Sequence, residues 1–141
     1  MKPVHQTEFV VKAEDGSILI PGNCFSACIA SMLGLPLEDV PTFVAFPNWL
    51  GLANEFVKSF GFELFMSVPR FIEYCRSAKD SGYHGYYIAT GMGPRGVEHA
   101  VICKDGQIVH DPHPEGGGID KPTSVFVFLA VDPSMSEGSS L

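Results

Sequence analysis

Gly22-Asn23-Cys24-Phe25-Ser26-Ala27-Cys28-Ile29-Ala30-Ser31-Met32-Leu33 follows directly on Pro21 and reads as a buried helix with a cysteine in its first turn. Pro21 and Gly22 break the preceding chain, Asn23 stands at the N-cap position, and Gly34 is the expected stop. Ser26, Ala27, Ala30 and Ser31 are small enough for neighbouring chain to approach closely, while Phe25, Ile29, Met32 and Leu33 supply apolar contacts. A thiol at a helix start meets unpaired backbone N–H groups and the positive end of the helix dipole, and both favour the thiolate. Cysteine nucleophiles occupy such positions. The rest of the chain therefore has to be read for a base and for a carboxylate to orient it.

The second half offers both. Glu98-His99-Ala100-Val101-Ile102-Cys103 and Gln107-Ile108-Val109-His110-Asp111 read as strands on either side of Lys104-Asp105-Gly106. If those three residues form the loop, with Gly106 left-handed, Cys103 faces Gln107 and His99 falls opposite Asp111 on one face. A two-residue loop shifts the register by one and brings His110 to His99's face instead. The favoured count sets an imidazole beside a carboxylate, the orienting half of a nucleophilic triad. Cys24, His99 and Asp111 would then act as nucleophile, base and orienter. The oxyanion formed on attack needs donors: the Cys24 N–H is one, and a side-chain amide from Gln6 or Asn23 is the second. Gln6 is favoured, with Asn23 spent as the helix cap. Thiol, imidazole and carboxylate suffice for acyl transfer, so no cofactor is called for.

Around this constellation the chain reads as α+β, with helices first and antiparallel strands afterwards, and the cysteine helix packed on the sheet. Glu8–Val11 and Ser17–Ile20 form a hairpin about Ala13-Glu14-Asp15-Gly16 that returns Gln6 to the helix start. Leu35 to Pro41 gives one short helical turn. Asn48 caps an amphipathic helix in which Trp49, Leu52, Ala53, Phe56, Val57 and Phe60 share a face, stopped by Gly61. Phe62–Met66 is a strand and Pro69 to about Ala78 a helix, ended before Asp80-Ser81-Gly82. Strands follow at Tyr83–Thr90, Val97–Cys103, Gln107–Asp111 and Ser124–Val131. A single domain over 1–133 is expected, with 134–141 a flexible tail.

The 141 residues, 45% hydrophobic with eleven phenylalanines, suit one domain with a real core. Nine Lys and Arg against sixteen Asp and Glu give a formal charge of −7, which disfavours a nucleic-acid surface. No apolar run has the length of a membrane span and no secretory pattern opens the chain, so a cytoplasmic protein is expected. Its four cysteines are then expected as reduced thiols, with Cys28, Cys75 and Cys103 as small buried hydrophobes.

The Asn23-Cys24-x-x-Ala27-Cys28-x-Ala30 helix start, the His99-Ala100-Val101 strand and the His110-Asp111-Pro112 strand resemble the papain-like cysteine peptidase superfamily. The nearest likeness is to compact C39-like peptidases and small papain-like proteins of phages and bacteria. Residues 22–41 and 93–118 carry it. The resemblance implies a papain-like fold, Cys24 as nucleophile, His99 as base, Asp111 as third member and an upstream glutamine in the oxyanion hole. It also implies cleavage of a peptide, protein or small amide through a Cys24 thioester. The glutamine of such peptidases lies a few residues before the cysteine, whereas Gln6 lies eighteen before it. Transglutaminase-like proteins share the Cys, His, Asp order, but their tryptophan after the cysteine is replaced by Phe25.

Other readings stand beside this one. Arg95, before the His99 strand, suits a substrate carboxylate or a solvated loop; His113 suits a loop residue near the site. Cys24 and Cys28, at i and i+4, with His110 and His113 would offer four zinc ligands. A papain-like module that binds without cutting would keep the same residues.

Overall fold

A computed structural model describes residues 1–77 and 85–130, the side chains of 74–77 excepted. Ten residues after the Pro21 break form the first helix, α1 (Cys24–Leu33), which ends where Gly34 turns left-handed and returns its N–H to Ala30 O. Strands β1 (Val11–Lys12) and β2 (Ile18–Ile20) precede it; helix α2 (Trp49–Lys58), strand β3 (Phe62–Ser67) and helix α3 (Arg70–Ser77) follow. The second half runs through β4 (Tyr86–Met92), β5 (Glu98–Lys104), β6 (Gln107–His110) and β7 (Pro122–Ala130). Leu37–Asp39 is the short helical turn expected between the prolines, and Phe43–Ala45 adds another.

The architecture is α+β. Five antiparallel strands order as β3-β7-β4-β5-β6, and β1 pairs only with β2. Alternation along the strands splits the apolar side chains between two faces. One face presents Leu64, Ile88, Ala100, Ile102, Phe126 and Phe128 to α1 and α2, which cover it with Phe25, Cys28, Ile29, Ala53 and Val57. The other carries Tyr87, Ala89, Val101, Cys103, Val125 and Val127, with Ile72 of α3 against them. Ala27, Cys28, Ile29 and Ala30 are wholly buried, so α1 lies flat on β5 because its small side chains let the backbones close up. Full burial of Ile29 alone is worth about 1.5–3 kcal/mol.

Several boundaries differ from expectation. The first arm of the β1–β2 hairpin starts three residues later than expected, at Val11. The Glu8 N–H, which a longer ladder would use, donates instead to Asn23 Oδ1 at 2.9 Å, beside the Thr7 N–H at 3.0 Å. Asn23 and Asn48 hold the N-cap positions of α1 and α2, but neither side chain caps its helix. Four expectations lie partly or wholly outside the described residues: the end of α3, the start of β4, Val131 and the 134–141 tail.

The β5–β6 hairpin departs most instructively. Lys104 pairs with Gln107, so the loop is the two residues Asp105 and Gly106, both with positive φ (52° and 82°), rather than three. Asp-Gly suits that type I′ geometry because glycine adopts the left-handed region without a Cβ penalty. Cys103 then pairs with Ile108, but Ile102 pairs with His110, and Val109 is left as a bulge. The loop moves the register by one and the bulge by one more. Parity is thereby restored: His110 shares the Ile102 face, and Asp111, one step on, shares the face of Val101 and His99.

Candidate active site

Cys24 opens α1, where its N–H has no intrahelical acceptor. Its side chain is half-buried and lines the same two pockets as His99. His99 is 4% exposed near the start of β5, and its Nε2–H donates to Asp111 Oδ1 at 2.7 Å. Asp111 is itself fixed: Oδ1 accepts the His113 N–H at 2.9 Å and Oδ2 the Gly118 N–H at 2.8 Å. Burial pushes the Asp111 carboxyl up, but the His99, His113 and Gly118 hydrogen bonds outweigh it and hold the group below its ordinary value. It therefore stays an anion that holds His99 in the Nε2–H tautomer, leaving Nδ1 as the basic ring nitrogen.

The thiol does not behave as its helix position implied. Burial raises the Cys24 pKa above the ordinary thiol value and the Asp111 charge adds to this, while the amides of Ala100, Phe25 and Cys24 itself oppose it. Desolvation of an anion outweighs the partial charges of one helix end here. Cys28 is raised much further by complete burial, and Cys103 to about 11. Cys24 is therefore the most accessible and least perturbed of the three described thiols. Cys75 lies outside the described side chains.

Gln6 is brought to the site although it belongs to no helix or strand. It is buried, lines the smaller pocket with Cys24 and His99, and donates Nε2–H to Glu8 O at 3.0 Å. The amide has a second N–H, which suits an oxyanion donor. Asn23 is buried too, with its amide engaged by the N-terminal segment: Oδ1 accepts the Thr7 and Glu8 N–H groups, and one Nδ2 N–H donates to Thr7 Oγ1 at 3.0 Å. Its side chain does not cap α1, which corrects the expectation of a helix cap. Its clamp on residues 7–8 had no sequence signal beyond the amide itself.

Arg95 is exposed, with Nη1 donating to Gly116 O at 3.0 Å, and it lines the smaller pocket. His113 lines it as well, edge-on to His99 at 6.2 Å between ring centroids. Burial and the Arg95 charge hold His113 below the ordinary imidazole value. The four residues of the alternative zinc reading do not converge. His110 Nε2 donates to Val4 O at 2.7 Å, Cys28 is sealed under α1, and among the described residues no three His, Cys, Asp or Glu are arranged to hold a metal.

Two pockets meet at Cys24 and His99. The larger, about 280 Å3, is floored by the edge-packed rings of Phe25, Trp49 and Phe126 and rimmed by Ile18, Val44 and Met66. The smaller, about 90 Å3, carries Gln6, Arg95 and His113. Among the described residues no helix is long and apolar enough to cross a membrane. No protein-family model, curated protein or solved structure was found to match this chain.

Proposed function

We propose that this chain is a papain-like thiol hydrolase or acyltransferase that opens an amide or peptide bond through a thioester on Cys24. The observation that carries the reading is the His99–Asp111 pair, held at 2.7 Å and lining the same pockets as a cysteine at a helix start. A helix-borne cysteine lying on the strand that carries the histidine supports the papain-like likeness.

Cys24 Sγ attacks the carbonyl carbon while its proton passes to His99 Nδ1, which suits a thiol that burial keeps protonated at rest. The carbonyl oxygen becomes an oxyanion, held by the Cys24 N–H and the free Nε2–H of Gln6. Its collapse breaks the C–N bond, and the imidazolium returns the proton to the departing amine. Water, or a second amine, then releases the acyl group by the same steps in reverse. Asp111 stays ionised throughout and stabilises the imidazolium. The apolar pocket takes a bulky apolar part of the substrate, and the polar pocket takes the other side of the bond.

A binding module without catalysis is the second reading, favoured by the upward shift of the Cys24 thiol. Intact-protein mass after exposure to p-nitrophenyl acetate separates the two. A thioester adduct at Cys24, absent in Cys24→Ala and formed about 10²–10⁴-fold more slowly in His99→Ala, supports the enzyme. An unmodified protein supports the binding module.

A further inference from the structure

Gln6 stands eighteen residues before Cys24, yet it is buried beside it. The bonds that hold it are made by its neighbours. Asn23 Oδ1 accepts the N–H groups of Thr7 and Glu8, its Nδ2 donates to Thr7 Oγ1, and its backbone N–H donates to Glu8 O at 3.2 Å. That same Glu8 O accepts Gln6 Nε2. Gly22 leaves room for this docking, since a Cβ there would stand 3.3 Å from Glu8 O. On the opposite side the Gln6 N–H donates to Pro112 O at 2.9 Å. The segment is thus pinned between the residue that precedes Cys24 and the residue that follows Asp111.

The Gln6 side chain is left incompletely bonded. Its Oε1 is buried with no hydrogen-bond partner among the described residues, an arrangement that native structures rarely keep without a use for it. Extended chain with no ladder of its own needs such external acceptors to stay ordered.

We propose that Asn23 is a positioning residue whose side-chain amide docks residues 7–8 and thereby sets Gln6 Nε2 as the second oxyanion donor beside Cys24. This rests on the function proposed above. Sequence distance is then no obstacle, because the clamp replaces the short spacing that would otherwise fix a glutamine next to the cysteine.

Two reactions of full-length protein test it. Acylation by p-nitrophenyl acetate forms the S–C bond, passes through an oxyanion and expels p-nitrophenolate; the thiol proton leaves through His99. Alkylation by iodoacetamide also uses the Cys24 sulfur, but it displaces iodide without an oxyanion. Asn23→Ala and Gln6→Ala should each slow acylation by about 10²-fold, while alkylation stays within about twofold. Asn23→Asp keeps the acceptor for Thr7 and Glu8 and should recover most of the loss. The Asn23→Ala/Gln6→Ala double variant should be no slower than Gln6→Ala, because one acts through the other. Thr7→Val, at an exposed position, removes only the Nδ2 bond and should lower the acylation-to-alkylation ratio several-fold even if Asn23→Ala fails to fold. Equal slowing of both reactions, unchanged acylation, or losses that multiply in the double variant would each overturn the positioning role. Wild-type protein that alkylates at Cys24 but never acylates would overturn the proposed function with it.

Discussion

His99 Nε2 and Asp111 Oδ1 lie 2.7 Å apart, and they do so only because Val109 drops out of the β5–β6 ladder. With an unbroken register from the Asp105-Gly106 turn, Asp111 would share the face of Ala100 and point away from the imidazole. One bulged residue reverses the face of everything that follows it.

Asp111→Ala should therefore free the imidazole while leaving the ladder in place. The expected result is a fall in acylation of Cys24 by about two orders of magnitude or more, with the strand signal in circular dichroism retained. Acylation at the wild-type rate would show that Asp111 does not orient His99.

The pH dependence of stability should carry Asp111's signature. Its folded pKa lies below the ordinary carboxyl value of 3.8, so its contribution is fully present above that value and is lost as pH falls through the lower folded one. In urea titrations, wild type should exceed Asp111→Asn near neutral pH, and the gap should narrow as pH falls below 3.8. A constant gap would place the stabilisation elsewhere.

Thiol labelling should follow the burial of the cysteines. Limiting iodoacetamide should modify Cys24 ahead of the buried Cys28 and Cys103. The raised Cys24 pKa means little thiolate at neutrality, so its labelling should climb with pH, by about tenfold per unit below the pKa, rather than stay level from pH 5 to 8. A level profile would indicate a preformed thiolate–imidazolium pair.

Specificity should reside in the pocket of Phe25, Trp49 and Phe126. Val44 stands at its rim, 37% exposed, so Val44→Trp can fill it without disturbing the core. Full burial of one apolar side chain is worth about 1.5–3 kcal/mol, so losing it should raise KM for bulky apolar acyl groups about 10- to 100-fold. Acetyl transfer should be unaffected. Equal effects on large and small acyl groups would exclude the pocket from recognition.

The packing of α1 on the sheet should be the main support of the Cys24 position. Ile29→Ala should cost about 2–5 kcal/mol in denaturant unfolding, since Ile29 is wholly buried beneath the helix. A loss below 1 kcal/mol would mean the site closes over the cavity.

The local content of the sequence was sufficient for much of this. The Pro21-Gly22 break, the small residues of 26–31 and Gly34 specified α1, because helix start, packing face and stop are written in neighbouring residues. The short apolar runs of 98–103 and 124–130, bounded by turn residues, specified strands for the same reason. Cys24, His99 and Asp111 were legible from residue type and local position.

Only the tertiary structure decided how they meet. The Val109 bulge leaves no mark in a run of β-formers, since a one-residue slip is settled by which side chains the two faces must bury. The true work of Asn23 was hidden because a helix-start amide can cap or clamp with the same atoms; the choice depends on whether Thr7 and Glu8 arrive beside it. The raised Cys24 thiol was hidden as well. Burial is a property of the whole fold, and the cost of placing an anion there exceeds what one helix terminus supplies.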